Sequence, residues 1–254
     1  MSKRVLAVLG MAAALAACSD GTGPGAPRTV SLTFTSGSAG GPLFSRMGVA
    51  DDTIILGSDV LVITRAQIVL REIELKREND DVCESGVEGD DDGCEEFETG
   101  PMLVDLPLGG LAETAITIEA DTGTYDEIDF ELHKAEDGGD AADAAFIAQN
   151  PDFDRISIRV EGTWNGTPFV FTSDVNVEQE NELSPPLVIT ETTGTNVTLR
   201  VDISTWFRNG SGVLVDPASG NQGGQNESVI TENIKVSFHA FEDEDRDGDD
   251  SDED

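Results

Sequence analysis

Short segments in which apolar and polar residues alternate recur along most of this chain and constrain its fold more than any other feature. Successive side chains of a β-strand point to opposite faces of the sheet, so a period of two predicts strands with one buried face. In the clearest example, residues 155–164 alternate up to Asn165-Gly166, and a second apolar run follows at residues 169–175. An Asn-Gly pair between two such runs predicts a hairpin with a type I′ turn.

The same signal returns about every 10–15 residues, with turn-forming residues between the segments. Within residues 60–76 the period changes near Thr64, which predicts two strands or one bent strand. Residues 140–149 begin with Asp and stop before a proline, so they predict a short helix, and residues 227–233 are a second candidate. The other predicted strands are residues 29–35, 102–106, 115–118, 125–132, 187–190, 197–203 and 234–241. We therefore expect a mainly β fold, an antiparallel β-sandwich of immunoglobulin or transthyretin type with one or two short helices.

The N-terminus has the pattern of an export signal. Lys3 and Arg4 precede an apolar run at residues 5–15, which is too short to span a bilayer as a helix. The run ends in Leu15-Ala16-Ala17-Cys18, which resembles the lipobox of bacterial lipoproteins. The resemblance implies that the cysteine is acylated and becomes the first residue of the mature protein.

This resemblance also predicts where the protein is located. Residues 1–17 are then a lipoprotein signal peptide, and residues 18–28 are a flexible tether that is held in a lipid bilayer through acylated Cys18. Ser19 matches the outer-membrane sorting pattern of enterobacterial lipoproteins. The expected location is the cell envelope, at the periplasmic or surface face of the outer membrane.

The charge balance excludes one class of partner. The chain has 51 Asp and Glu against 15 Lys and Arg, and its formal net charge is −36. Nucleic-acid binding needs clustered basic residues, so nucleic acid is not an expected partner. The acidic residues are concentrated in residues 78–98 and 242–254. Such segments are either solvated or bind a cation or a cationic partner.

The two cysteines other than Cys18 lie together in the first acidic block. Cys83 and Cys94 are expected to form a disulfide, because disulfides persist in exported proteins. The alternative is a metal site with thiolate ligands. The usual zinc sites need further Cys or His ligands, and no histidine lies near Cys83 and Cys94 in the sequence.

Two segments of the first half resemble a known family. Residues 100–106 read GPMLVDL, and residues 121–128 read DTGTYDEI. Both are similar to the DUF4382 family of exported bacterial proteins, over residues 29–137. The family implies an extracytoplasmic β-sandwich and carries no established activity. Residues 29–242 are thus expected to form the sandwich, as one unit or as two halves at residues 29–137 and 154–242.

The C-terminal tail at residues 243–254 contains a D-x-D-x-D-G pattern, which resembles the calcium loops of EF-hand and dockerin-like proteins. Calcium takes six to eight oxygen ligands, and alternate carboxylates before a glycine turn can surround one ion. The pattern departs from those loops in having Asp rather than Glu at position 12 and no flanking helix pair. The other interpretation is a solvated acidic tail. The predicted ligands are Asp243, Asp245, Asp247, Asp249, Ser251 and Asp254.

Other candidate residues carry weaker signals. Trp164 and Tyr125 are candidates for stacking on a sugar, whereas Trp206 is more typical of a core residue. His133 and His239 are the only histidines, and they would bind copper or zinc only if the fold brought them together. No catalytic residue is predicted, because no G-x-S-x-G or other catalytic motif is present.

The functional prediction is a non-enzymatic, membrane-anchored envelope lipoprotein that serves as a binding or structural module. Calcium is the one cofactor expected. The alternatives are a carbohydrate-binding or adhesion domain, with a glycan as its partner, and a hydrolase whose dispersed residues form no recognisable motif.

Overall fold

The structure is a computed structural model that describes residues 28–37, 51–77, 94–98, 100–136, 138–190 and 194–243, together with Arg246 and Gly248. Two α-helices occur in these ranges, α1 (Ala141–Gln149) and α2 (Glu227–Lys235), with 3-10 turns at Pro151–Phe153, Ile203–Thr205 and Pro217–Gly220. The strands are β1 (Arg28–Ser36), β2 (Asp52–Leu56), β3 (Asp59–Arg77), β4 (Cys94–Glu98), β5 (Met102–Asp105), β6 (Ala112–Ala120), β7 (Gly123–Leu132), β8 (Ile158–Trp164), β9 (Thr167–Ser173), β10 (Val177–Ile189), β11 (Thr195–Val201) and β12 (Phe238–Glu242).

The strands form two sheets. The small sheet has the order β12-β11-β1-β6, and the large sheet has the order β10-β7-β3-β8-β9, with β2, β4 and β5 also paired to β3. All pairs are antiparallel except β1 and β11, which run parallel. Each sheet takes strands from both halves of the chain, so the first and second halves are interleaved in the sandwich.

The core lies between the two sheets, as the predicted sandwich requires. From the small sheet, Leu32 and Leu199 point inward, and from the large sheet Phe130 does so. Phe130 of β7 meets Phe238 of β12 edge to face, with ring centroids 5.4 Å apart. Trp206 is fully buried, which confirms its predicted place in the core.

Most local predictions are confirmed. Asn165 and Gly166 have φ values of +49° and +80° and join β8 to β9, as a type I′ turn requires. Helix α1 begins after Asp140, whose carboxylate accepts a hydrogen bond from the Asp143 N–H. Residues 60–76 belong to one long strand, β3, whose register against β8 shifts between Ile63 and Arg65, where the sequence period changes.

Two predicted strands differ most from the observed boundaries. The strand expected at residues 187–190 is only the end of β10, which begins at Val177 and passes through Pro185 and Pro186. A break in the register between Glu182 and Leu187 accommodates the prolines, which cannot donate to a ladder. The strand expected at residues 234–241 begins only at Phe238, because α2 continues through Lys235.

Candidate cation site on the small sheet

The outward side chains of the small sheet are small and polar, yet they are buried. Thr33 of β1 and Asn196 and Thr198 of β11 lie on the side opposite the core and have almost no exposed surface. Two described residues that follow β12 lie on this side of the sheet: the Asp243 N–H donates to the Asn196 carbonyl (3.1 Å), and Gly248 lies against Thr35 of β1. The face is therefore buried although alternation alone would assign it to solvent.

A chain of hydrogen bonds runs across this covered face and ends on Asp243. The Thr33 hydroxyl donates to Asn196 Oδ1 (2.7 Å), Asn196 Nδ2 donates to the Thr198 hydroxyl (3.0 Å), and that hydroxyl donates to Asp243 Oδ2 (2.7 Å). Because Thr33 uses its hydrogen here, Thr114 of β6 donates to Thr33 (3.0 Å). All four donors thus point toward one carboxylate, and successive bonds of this kind polarise and strengthen one another.

The Asp243 carboxylate has no exposed surface and is only half satisfied. Oδ2 accepts from Thr198 and from the Gly248 N–H (3.1 Å), whereas Oδ1 is buried without a hydrogen-bond partner. Within the described part of the chain, no basic side chain pairs with this carboxylate. Burying a carboxylate oxygen without a hydrogen-bond partner costs free energy of folding unless a cation lies beside it. The site therefore has the chemistry of an oxygen ligand for a hard cation.

Gly248 is required by the geometry of this turn. Its φ of +86° is in the left-handed region, and a Cβ would lie 3.0 Å from Thr35 Oγ1 and 3.2 Å from Ala112 Cβ. Counted from Asp243, Gly248 is position 6 of the predicted calcium loop, where the chain must turn sharply. The hydrogen bond from Gly248 to Asp243 closes the first half of that loop.

Most of the predicted ligand set lies outside the described residues. Asp243 is described, and Asp245, Asp247, Asp249, Ser251 and Asp254 are not. Among the residues that the structure does describe, no group of three or more His, Cys, Asp or Glu side chains is placed to hold a metal ion. Calcium binding by the full loop therefore stays a prediction.

The sequence pattern does not indicate the polar residues that support Asp243. Thr33, Asn196, Thr198 and Arg200 lie on one side of their strands, and polar residues at alternate strand positions are ordinarily solvent-facing. Arg200 is buried on the same face, with its guanidinium 5.0 Å from the centroid of the Phe241 ring. Alternation places 196, 198 and 200 on one face but does not indicate what covers that face.

Comparison with known proteins identifies no family. No protein-family model matches the chain, and no curated protein matches it. Among solved structures, the chain has a likeness to MbnP from Methylosinus trichosporium, with 11% sequence identity and a TM-score of 0.35. The match covers 72% of this chain and 78% of that chain. A TM-score this low carries no inference about fold or function.

The fold does not bring His133 and His239 together, because they belong to different sheets of the sandwich. His239 is exposed on β12 of the small sheet, whereas His133 is buried just after β7 of the large sheet. His133 Nε2 lies 2.8 Å from Asp143 Oδ1, and its Nδ1 lies 3.1 Å from Glu131 Oε2. Both ring nitrogens of His133 are therefore engaged by carboxylates of the large sheet and of α1.

The predicted sugar platform is not formed. Tyr125 is fully buried, its hydroxyl donates to the Asp121 carbonyl (3.0 Å), and the Arg77 guanidinium lies 5.3 Å from the centroid of its ring. A sugar has no access to the face of this ring, so the stacking prediction is wrong for Tyr125. Trp164 is half-buried at the end of β8 and packs against the core.

The covalent predictions fall largely outside the described residues. Cys18 and Cys83 are not described, and of Cys94 only the backbone is, at the start of β4 opposite Lys76. The acylation and the disulfide both stay predictions. No helix in the described ranges is long and apolar enough to cross a bilayer.

A second buried carboxylate lies on the outward side of the large sheet. Asp129 of β7 lies opposite Glu74 of β3 and Glu180 of β10, and its Oδ2 contacts Lys76 Nζ. Burial raises the pKa of Asp129 to about 6, because the contact with Lys76 offsets only part of the desolvation and Glu127 adds repulsion. Burial alone would lower the pKa of Lys76, but the hydrogen bond to Asp129 and the charges of Asp129 and Glu127 raise it.

We expect Asp129→Asn to become more stable relative to the natural protein as the pH rises. A carboxyl group whose pKa is raised on folding contributes stability below its unfolded pKa of 3.8 and loses that contribution through pH 6. The difference in unfolding free energy should shift by about 2 kcal/mol in favour of the variant between pH 4 and pH 8. Urea unfolding at several pH values measures this, with exposed Asp152→Asn as the control. A difference that does not change with pH would contradict the raised pKa.

Proposed function

We propose that this chain is a non-enzymatic, membrane-anchored envelope lipoprotein that binds calcium at the loop beginning with Asp243. The observation that carries the calcium proposal is the buried Asp243 carboxylate, whose Oδ1 has no partner while Oδ2 is held by Thr198 and Gly248. Support for the anchor is the lipobox-like sequence that ends at Cys18. The sandwich then serves as a binding or structural module at the envelope.

Calcium fits the predicted ligands better than other metals do. The predicted ligand atoms are all oxygens, from Asp carboxylates and the Ser251 hydroxyl, which suit hard cations, whereas zinc and copper favour Cys and His. Magnesium requires a nearly regular octahedron and usually keeps several waters, so a long acidic loop is a poor cage for it. Asp254 is one methylene shorter than the usual Glu at position 12. We therefore expect a weak site, with a Kd of about 10⁻⁴ M, at the strong end of the range for extracellular modules.

The expected result is a calcium-specific rise in stability that depends on Asp243. At about 10 mM calcium, or 100 times that Kd, a single native-state site adds about 2.7 kcal/mol to the unfolding free energy. The melting temperature of the full chain should then rise by roughly 5–10 °C over the value in chelator. Magnesium at the same concentration controls for ionic strength, and isothermal titration measures the binding directly.

Two variants locate the effect. Asp243→Asn should lose the calcium-induced rise, because it removes the carboxylate ligand while its amide oxygen can still accept from Thr198 and Gly248. Asp152→Asn, at an exposed carboxylate far along the chain, should keep the full rise. If the melting temperature of Asp243→Asn rose equally with calcium, the ion would bind at a different site. If calcium raised the melting temperature of neither the natural protein nor the two variants, the proposal would be refuted.

A further inference from the structure

The outward side of strands β7 and β10 carries a patch of carboxylates. In the antiparallel ladder of these strands, three consecutive outward pairs each join two acidic residues: Glu131 with Glu178, Asp129 with Glu180, and Glu127 with Glu182. Ile128 and Phe130, which alternate with the β7 members of these pairs, belong to the core, so the six carboxylates point away from it. We call these six residues the acidic face.

We infer that the acidic face binds an extended, cationic segment of a partner protein that carries Lys or Arg at alternate positions. The inference adds a class of partner to the function proposed above. It does not depend on calcium, because the acidic face belongs to the large sheet, whereas Asp243 lies beside β11 of the small sheet.

The β10 side of the acidic face has negative charges that no cation balances. Side chains directly opposite in an antiparallel pair have Cβ atoms about 5 Å apart, and like charges in that position destabilise a sheet. Glu178, Glu180 and Glu182 are exposed, and none of them has a basic partner within the described part of the chain. A cationic ligand would therefore relieve repulsion that the strand pairing itself creates.

One carboxylate at the centre of the acidic face is buried. Asp129 is only 3% exposed, and its Oδ1 is buried without a hydrogen-bond partner among the described residues. Its neighbours across the two ladders, Glu74 and Glu180, are also carboxylates. A buried, unpartnered oxygen of this kind favours a ligand that brings both a positive charge and an N–H donor.

Lys76 shows that an ammonium group fits among the outward carboxylates of β7. Its Nζ contacts Asp129 Oδ2 and lies 3.4 Å from Glu127 Oε1. Lys76 belongs to β3, on the side of β7 that faces away from β10. A lysine or arginine from a partner would provide the same type of contact on the β10 side.

The flat arrangement of the carboxylates suits an extended peptide better than a metal ion. Alternate residues of a strand are about 7 Å apart, so each row of the acidic face has the spacing at which an extended peptide presents its own alternate side chains. Calcium needs six to eight oxygens around one ion, whereas a sheet offers its carboxylates from one side. In the described ranges, no group of three or more His, Cys, Asp or Glu side chains is placed to hold a metal ion.

Peptide binding to the full chain in detergent tests the inference. The probe is a fluorescently labelled peptide of four Lys-Thr repeats, titrated by fluorescence anisotropy in chelator, so that the proposed calcium site stays empty. A second peptide has the same composition with its lysines in one block. The alternating peptide should bind at least about threefold more tightly, because only its lysines all lie on one side of an extended chain. Equal affinity for the two peptides would overturn the inference.

A triple variant of β10 locates the binding. Glu178→Gln/Glu180→Gln/Glu182→Gln, the β10 variant, keeps the size of three exposed side chains and removes their charge. It should weaken binding of the alternating peptide at least about tenfold, since each exposed ion pair contributes up to about fivefold in affinity. It should also fold, because it removes repulsion between β7 and β10.

The control variant removes the same charge elsewhere. Glu113→Gln/Glu119→Gln/Asp152→Asn changes exposed carboxylates of β6 and of the 3-10 turn after α1. Its affinity for the alternating peptide should stay within about twofold of the natural value, because these residues lie outside the acidic face. The comparison separates binding at the acidic face from attraction by the overall negative charge of the chain.

Asp129→Asn tests the part of the buried carboxylate. The pKa of Asp129 is raised to about 6 by burial, so this group is largely ionised at pH 7 and largely protonated at pH 5. The affinity of the natural protein should fall by up to about tenfold from pH 7 to pH 5, and that of Asp129→Asn should fall much less. The histidines and the charged neighbours of Asp129 are the same in both proteins. Equal pH dependence would overturn the inference.

The remaining outcomes also decide the matter. Weaker peptide binding in the β10 variant and not in the control variant supports the inference. Equal affinities in the two variants, or no measurable binding to the natural protein, would refute it. The β10 variant should keep the calcium-induced rise in melting temperature. If it lost that rise instead, the acidic face would hold the metal ion and the inference would be refuted.

Discussion

Gly162→Ala should abolish the fold or destabilise it by more than about 4 kcal/mol. Gly162 lies in β8 opposite Ile63, beside the shift in register of the β3–β8 ladder. A Cβ at this position would lie 1.9 Å from the Val62 carbonyl oxygen and 3.1 Å from Ile63 Cα. These are backbone atoms of the central strand of the large sheet, so no side-chain rotation relieves the overlap, and the two strands would have to separate.

Soluble yield and urea unfolding measure this effect. The matched control is Gly210→Ala, because a Cβ there meets no atom within 4 Å and the backbone is not in the left-handed region. That control should stay within about 0.5 kcal/mol of the natural protein. If Gly162→Ala unfolded at the same urea concentration as Gly210→Ala, the close approach of β3 and β8 would be disproved.

Replacing either partner of the buried His133–Asp143 pair should cost about 1–3 kcal/mol, because the other is left without a hydrogen-bond partner. Asp143 Oδ1 lies 2.8 Å from His133 Nε2 and 3.6 Å from Arg71 Nη1, so His133→Leu removes its nearest side-chain partner. Asp143→Leu leaves His133 Nε2 facing an apolar group and removes the acceptor of the Glu136 N–H (3.1 Å).

A double-mutant cycle separates the pair from the packing around it. His133→Leu/Asp143→Leu should lose less than the sum of the two single losses, by about 1 kcal/mol, because neither polar side chain is then left facing an apolar replacement of its partner. Exposed His239→Leu is the control and should change stability by less than about 0.5 kcal/mol. Strictly additive losses would mean that the two side chains do not interact.

The local elements could be predicted because each depends on residues that are close in sequence. Asn165-Gly166 suits a type I′ turn whatever surrounds it, and Asp140 caps α1 through a contact three residues away. The register shift of β3 against β8 falls at the change of period near Thr64. Where long-range pairing overrides local pattern, as in β10 across Pro185 and Pro186, prediction of the boundaries failed.

The residues of the candidate site likewise separate into those that local spacing predicts and those that only long-range strand pairing brings together. Spacing alone identified Asp243 and Gly248 as positions 1 and 6 of a loop, and the hydrogen bond between them agrees with that spacing. It could not identify Thr33, Asn196 and Thr198 as their support, because these residues come together only when β1 pairs in parallel with β11.

The alternation that makes the chain a β-sandwich, the hairpin and helix signals, and the order of acidic residues at its end can all be read from the sequence. The fold adds that the outward face of the small sheet is covered, that Tyr125 is enclosed and that Asp243 Oδ1 is buried without a partner. Periodicity specifies which side chains share a face. Burial and charge pairing depend on which distant segment packs against that face.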